Sequence, residues 1–232
     1  MKKDLKKGFL NAIKDTFCAY NNYGARSNKK LIPIHTWFAN EIISELGNDY
    51  SSMSLGKDGE YEIEGKYYSK KEDITVLNNQ KPIVTLSFKF VTSNYAQNSN
   101  NYFENLLGET ANIRRIGVGF AHFLVLRGDT PYYDKAAGNA RGQLKKIEKL
   151  SDHHIEKYIK LFKDEDFPHR PDVLGIAIID FNIDGDPRFT DLKTLKLQEE
   201  TIKILELEFS VKTFIRRVRA LCELKKWIIY PH

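Results

Sequence analysis

The chain has 232 residues, 41% of them hydrophobic and 12% aromatic. That is enough apolar material for one sizeable packed domain and too much for a disordered chain. A formal charge of +5 suits a partner that carries phosphates, although many proteins without such a partner are as basic. The two cysteines, Cys18 and Cys222, are far apart and lie in amphipathic segments, so core thiols and a reducing cytoplasm are expected rather than a disulfide. The opening Met-Lys-Lys could begin a leader, but Asp4, Lys6, Lys7 and Asn11 interrupt the apolar stretch that a leader needs. No stretch approaches the ~18 apolar residues of a membrane span. A soluble, cytoplasmic protein is expected.

Leu5, Phe9, Ile13 and Phe17 recur every fourth residue and predict an amphipathic helix over 3–20. An Asn-rich stretch from Asn21 to Lys30 ends it. A second helix is expected from His35 to Leu46, with Trp37, Phe38 and Ile42 inward and Gly47 as its stop. Residues 51–59 read as a loop. The period then changes: Tyr61 and Ile63 with Tyr67 and Tyr68 suggest a strand. The run 73–77, a turn at 78–81 and the run 82–91 predict a β-hairpin.

A helix is expected from Asn100 to Arg115, with Phe103, Leu106, Leu107 and Thr110 on one face. Gly119 to Leu126 reads as a buried strand, then a polar loop with Gly128, Pro131, Gly138 and Gly142. Residues 143–163 read as helical, with Ser151 suited to cap a second half. Val173 to Phe181 is another apolar strand, and the last forty residues one or two helices ending in the apolar segment 227–230. This order predicts a single α/β domain over 1–232, a central mixed sheet flanked by helices.

The chemistry concentrates on the hairpin. Fifteen residues lie between Asp73 and Lys89, and a hairpin returns the chain so that both side chains can converge. Alternation puts Ser87 and Lys89 on one face of the second strand. A lysine in so apolar a strand is costly unless its ammonium meets a carboxylate, a phosphate or water. Carboxylates that hold Mg2+ beside an ammonium are what phosphodiester hydrolysis uses.

Spacing and strand context resemble the PD-(D/E)xK nuclease superfamily, to which many restriction endonucleases belong. Asp73 matches its first aspartate and Lys89 its lysine; Glu72 stands where that motif usually has proline. Ser87 stands where the pattern expects the second acid, and a hydroxyl is a poor ligand for Mg2+. Some restriction enzymes with Ser-x-Lys on the strand take the acid from the next helix. Glu104, fifteen positions after Lys89, is the first candidate for it, and Glu109 the second. The resemblance is strongest over 60–127. It implies Mg2+ on Asp73 and Glu104, an attacking water positioned by Lys89, and for Ser87 at most a neutral contact. The amide-rich connection with Asn94, Tyr95, Gln97, Asn98, Asn100 and Asn101 is the candidate DNA contact. The partner implied is double-stranded DNA, bound by a homodimer that cuts both strands of a palindrome.

Plainer readings compete. Asp73 could cap the hairpin, Lys89 could snorkel, and Glu104 could be a solvated helix residue. Glu41 and Glu45, on the helix before the hairpin, are expected at the surface. A second match, Pro171-Asp172 with Asp191-Leu192-Lys193, lacks an apolar strand to carry its lysine. His153 and His154 diverge on a helix and His122 sits in a buried strand as a hydrogen-bonded core residue, so none reads as a metal ligand. Asp180, Asp184 and Asp186 lack the rest of a calcium loop and read as turn aspartates. The basic run 212–219 with Lys225 and Lys226 could equally track a DNA backbone or form a solvated face. No glycine pattern marks a nucleotide site. The alternatives to a restriction-type endonuclease are a decayed DNA-binding module on the same fold, or a structure-specific nuclease.

Overall fold

The computed structural model describes residues 4–24, 27–92, 94–135, 141–165, 168–181 and 185–229. Ser93, Gly138, Asp184 and Tyr230, together with the opening Met-Lys-Lys, lie outside the described residues.

Six helices and ten strands are defined among the described residues: α1 Leu5–Tyr23, α2 Ile32–Ile43, β1 Tyr50–Ser54, β2 Tyr61–Glu64, β3 Ser69–Glu72, β4 Ile74–Asn78, β5 Lys81–Phe90, α3 Tyr95–Arg114, β6 Gly119–Leu126, β7 Asp129–Lys135, β8 Arg141–Lys149, α4 Asp152–Lys163, β9 Val173–Phe181, β10 Pro187–Phe189, α5 Glu199–Leu207 and α6 Val211–Ile229. The main sheet runs β1-β4-β5-β6-β9-β10. Its outer pairs are antiparallel, while β5, β6 and β9 run parallel. The chain is thus an α/β protein with a central mixed sheet flanked by helices.

Both faces of the sheet are covered, which is why β6 and β9 are near-continuous apolar runs rather than alternating ones. On one face Phe9, Ile13, Phe38, Ile42, Phe214 and Val218 from α1, α2 and α6 pack on Phe88 and Phe123. On the other, Leu106, Ile113, Tyr158 and Leu161 from α3 and α4 cover Phe120, Leu124 and Ile176. The β4–β5 hairpin closes through Asn79 and Gln80, both with positive φ (46° and 66°), as a two-residue turn between strands of right-handed twist requires.

Several boundaries differ from those the sequence suggests. Residues 51–54, expected to start a loop, belong to β1, drawn into the sheet by pairing with β4. Helix α2 begins at Ile32 with Pro33 in its first turn and ends before Gly47. Helix α3 begins at Tyr95 rather than Asn100, because Tyr95 is buried and its hydroxyl donates to the His154 carbonyl oxygen at 3.2 Å. The loop after β6 and the expected helix at 143–150 are instead the antiparallel ribbon β7–β8. A register shift at Tyr132/Tyr133 inserts Lys145 as an extra residue, so Leu144 and Ile147 share a face three residues apart, which mimics a helical period. Ser151 does cap α4, and the short strand β10 has no counterpart among the expected elements. Cys222 is a buried thiol, but Cys18 is exposed on α1; both are free.

Gly175 fixes how closely α6 approaches the sheet. A Cβ there would stand 2.5 Å from the Phe123 ring and 2.7 Å from Phe214. Gly175→Ala is expected to destabilise the fold by about 1–3 kcal/mol through overpacking, read as a lower urea midpoint at unchanged m-value.

Candidate active site

Asp73 occupies the single position between β3 and β4. Its Oδ2 accepts a hydrogen bond from the Phe88 backbone N–H at 2.7 Å, which pins the carboxylate against the middle of β5. From the same stretch of β5, Ser87 and Lys89 project toward α3. Ser87 is fully buried, and its hydroxyl donates to Glu109 Oε2 at 3.0 Å. Lys89 is partly open to solvent, with Nζ 4.0 Å from Glu109 Oε1. The structure therefore sets Asp73 against the β5 backbone between Ser87 and Lys89, and the acid that meets both of those side chains is Glu109.

Glu104 is exposed, and its charge acts on Lys157 of α4. The reason is the orientation of α3. Its buried stripe is Leu106, Thr110 and Ile113. At ~100° per residue, Glu104 stands ~160° from Leu106 and Glu109 only ~60°. Phe103, Leu107 and Ala111, the stripe that Glu104 flanks, are only partly buried.

Two further charged residues complete the cluster. In β3, Lys70 and Glu72 alternate to the same side and turn inward. Lys70 Nζ is 3.0 Å from Glu109 Oε2 and 3.6 Å from Glu72 Oε1. Glu72 is wholly buried, and neither carboxylate oxygen has a hydrogen-bond partner. The signal for this pair in the sequence is a set of opposite charges two apart on a four-residue strand. Reading Glu72 only as a substitute for proline conceals it.

Each ionisation follows from its surroundings. Burial pushes the Glu72 carboxyl up to about 7, with Lys70 opposing and Glu109 and Asp73 adding to the rise. Burial pushes Glu109 in the same direction, but Lys70 and Lys89 outweigh it and hold its carboxyl below the usual range. Lys70 loses hydration on burial, yet the carboxylates of Glu72 and Glu109 leave its ammonium more basic than usual. His122 pairs in register with Ser87 across β5 and β6. Burial drives its imidazole down to about 3; it is the core residue expected, with Nδ1 lacking a hydrogen-bond partner.

The other candidates lie elsewhere. Tyr95 is a core residue, 5% exposed, rather than a free DNA contact. Asn94, with φ 55°, precedes α3, and Gln97, Asn98, Asn100 and Asn101 sit on its first turns, not in a connection. Asn98 is half-buried and donates to the Asn94 carbonyl, while Asn100 accepts from Lys157. Asp172, at the start of β9, receives the Phe120 N–H and pairs with Arg114. Asp191 caps the short turn that carries Lys193. Thr190 bonds to Ile178, six residues along β9 from Asp172 and so ~20 Å away, and the second match does not assemble.

Glu41, expected at the surface, is 3% exposed, whereas Glu45 is exposed and pairs with Arg219. His154 Nδ1 accepts the Ser151 N–H at the start of α4. Asp180 receives the Asp129 N–H and the Thr190 hydroxyl, and Asp186 pairs with Lys14. On α6, Arg217, Arg219, Lys225 and Lys226 are engaged by Glu208, Glu45, the Gly117 carbonyl and Asp49. That ties up much of the basic run.

Among the described residues no three His, Cys, Asp or Glu side chains already stand close enough together to hold a metal ion. The donor set nonetheless fits Mg2+. That cation uses one or two carboxylates and keeps several waters, so it needs no complete protein cage. Asp73 and Glu109 supply hard oxygens, and the Glu72 oxygens are buried and without hydrogen bonds.

The buried Glu72 carboxyl has a consequence for stability. Its folded value, about 7, lies above its ordinary 4.5, so the folded state binds the extra proton. The stability this gives is complete below about 4.5 and lost as pH rises through about 7. Glu72→Gln is therefore expected to gain on wild type across that window, by about 3 kcal/mol at pH 8 relative to pH 4, measured by urea unfolding at both. Comparison with protein-family models, curated proteins and solved structures finds no match to the chain.

Proposed function

We propose that the chain is a Mg2+-dependent endonuclease of the PD-(D/E)xK kind, which cuts double-stranded DNA at a specific site. The observation that carries this reading is that Glu109 of α3 meets Ser87 and Lys89 on β5, while Asp73 is bound to the backbone of the residue between them. A carboxylate from the next helix stands beside the Ser-x-Lys strand, as the variant of the motif requires.

In this reading Asp73 and Glu109 hold the cation, and Ser87 fixes the Glu109 carboxylate by its hydrogen bond. Bound Mg2+ would supply a Lewis acid on the phosphate and a more acidic water. Lys89, at the solvent-facing side of the cluster, orients a water against the phosphorus and offsets the negative charge that develops there. The water oxygen bonds to phosphorus, the P–O3′ bond breaks, and its electron pair leaves on the 3′ oxygen. That oxygen takes a proton from solvent, and the proton lost by the attacking water passes to solvent. A 5′-phosphate and a 3′-hydroxyl result.

The side-chain amides on the first turns of α3, Gln97 and Asn101 above all, are exposed and suit base-edge or phosphate contacts. A homodimer would present two such sites to the two strands of a palindrome. Among the described residues no helix is long and apolar enough to cross a membrane. Free thiols at Cys18 and Cys222 agree with a reducing cytoplasm.

A second reading has one observation in its favour. Ser87 replaces an acid, and Lys70 already neutralises Glu109, as would befit a DNA-binding module that has lost its metal site. Plasmid cleavage with Mg2+ separates the two. Lys89→Ala and Glu109→Ala should each lower cleavage by about a hundredfold to a thousandfold while duplex binding persists. Glu104→Ala should stay within about twofold of wild type, as expected of an exposed residue. Specific binding with no nicking at any Mg2+ concentration would favour the decayed module, and full activity in the Lys89 variant would end the mechanism.

A further inference from the structure

Lys70 has no part in that hydrolysis, yet it holds the oxygens that hydrolysis needs. Its ammonium lies 3.0 Å from Glu109 Oε2, the oxygen that also accepts from Ser87. It lies 3.6 Å from Glu72 Oε1, on a side chain that is wholly buried without one hydrogen bond. An ammonium and a hard divalent cation seek the same carboxylate oxygens, and both cannot hold the oxygen closest to Lys70. Lys70 is shared between two carboxylates, with Lys89 4.0 Å from one of them and Glu72 left without a hydrogen bond. A cation of charge two answers two carboxylates better than an ammonium.

Lys70 is also placed so that it can move. It sits on β3, in the two-stranded β2–β3 hairpin outside the main sheet. Its side chain is 23% exposed, against 0% for Glu72. A lysine stem has four rotatable carbons and a strongly hydrated head, so its ammonium can be released to water without refolding the strand. Glu109 cannot follow it, since that carboxylate is anchored by α3 and Ser87.

We infer that Lys70 is an exchangeable internal counter-ion: it closes the Glu72–Glu109 carboxylate pair in the metal-free protein and yields that pair to a divalent cation. This rests on the nuclease reading for its purpose but not for its test. The site would be a metal site that carries its own competitor. Glu72, outside the motif, would serve the incoming cation directly or through its waters.

The test is Mn2+ binding to the DNA-free protein by isothermal titration calorimetry at pH 8, with thermal melting to verify folding. Lys70→Met and Lys70→Gln, two neutral variants of different polarity, should bind Mn2+ about tenfold or more tightly than wild type, because the competing charge is gone. Lys70→Arg, which keeps the charge, should bind no tighter than wild type. Adding Glu109→Gln to either neutral variant should abolish the gain. Equal or weaker Mn2+ binding in both neutral variants overturns the exchange, and if wild type still cleaves duplex DNA with Mn2+, the nuclease reading survives it. Absence of Mn2+ binding in wild type and both neutral variants overturns both.

Discussion

A carboxylate taken out of water has to be met by opposite charge or by hydrogen bonds, or its burial costs several kcal/mol. Glu109 is met by both. It receives the Ser87 hydroxyl, lies against the Lys70 ammonium and faces Lys89 across 4.0 Å. These contacts tie together β3, β5 and α3, three elements that otherwise belong to different parts of the chain. Glu72, a few ångströms away, lacks the hydrogen bonds and has its proton affinity raised to about 7. The two carboxylates share a neighbour and differ in partners, and that difference sets their protonation.

The scaffold explains why the cluster forms where it does. β5 is the strand at which the sheet changes from antiparallel to parallel pairing. On its antiparallel side the hairpin delivers Asp73 to the Phe88 N–H. On its parallel side the crossover to β6 has to be a helix of some length, and that helix, α3, brings an acid back over the strand. His122, in register with Ser87, floors the pocket as a neutral ring. The aromatic packing of Phe88 and Phe123 on the opposite face holds β5 and β6 in place.

Much of this is legible in the sequence. The β4–β5 hairpin shows in a β-rich run, an Asn-rich turn and a second run, and β6 and β9 show as unbroken apolar stretches because both sheet faces are covered. Asp73 and Lys89 can be placed together for that reason alone. The sequence does not decide between Glu104 and Glu109 for the acid on the helix. Their difference depends on how α3 is rotated, and the Tyr95 hydroxyl bond to α4, a long-range contact, fixes the helix start. The Asn and Ser residues at 98–101 are weak helix formers, so local propensity points away from the true N-terminus. β8 reads as a helix because a bulge gives a strand the spacing of one. Lys70 and Glu72 are hidden by their charge, which on a short strand suggests solvent until the partners are known.

In the proposed reading Asp73 and Glu109 would hold one divalent cation beside Lys89. The most direct measurement is a crystal soaked in Mn2+ and examined by anomalous scattering. A peak about 2.1 Å from oxygens of both Asp73 and Glu109 is expected. A Mn2+ peak at Glu104, or a well-ordered crystal with no peak between Asp73 and Glu109, would contradict it.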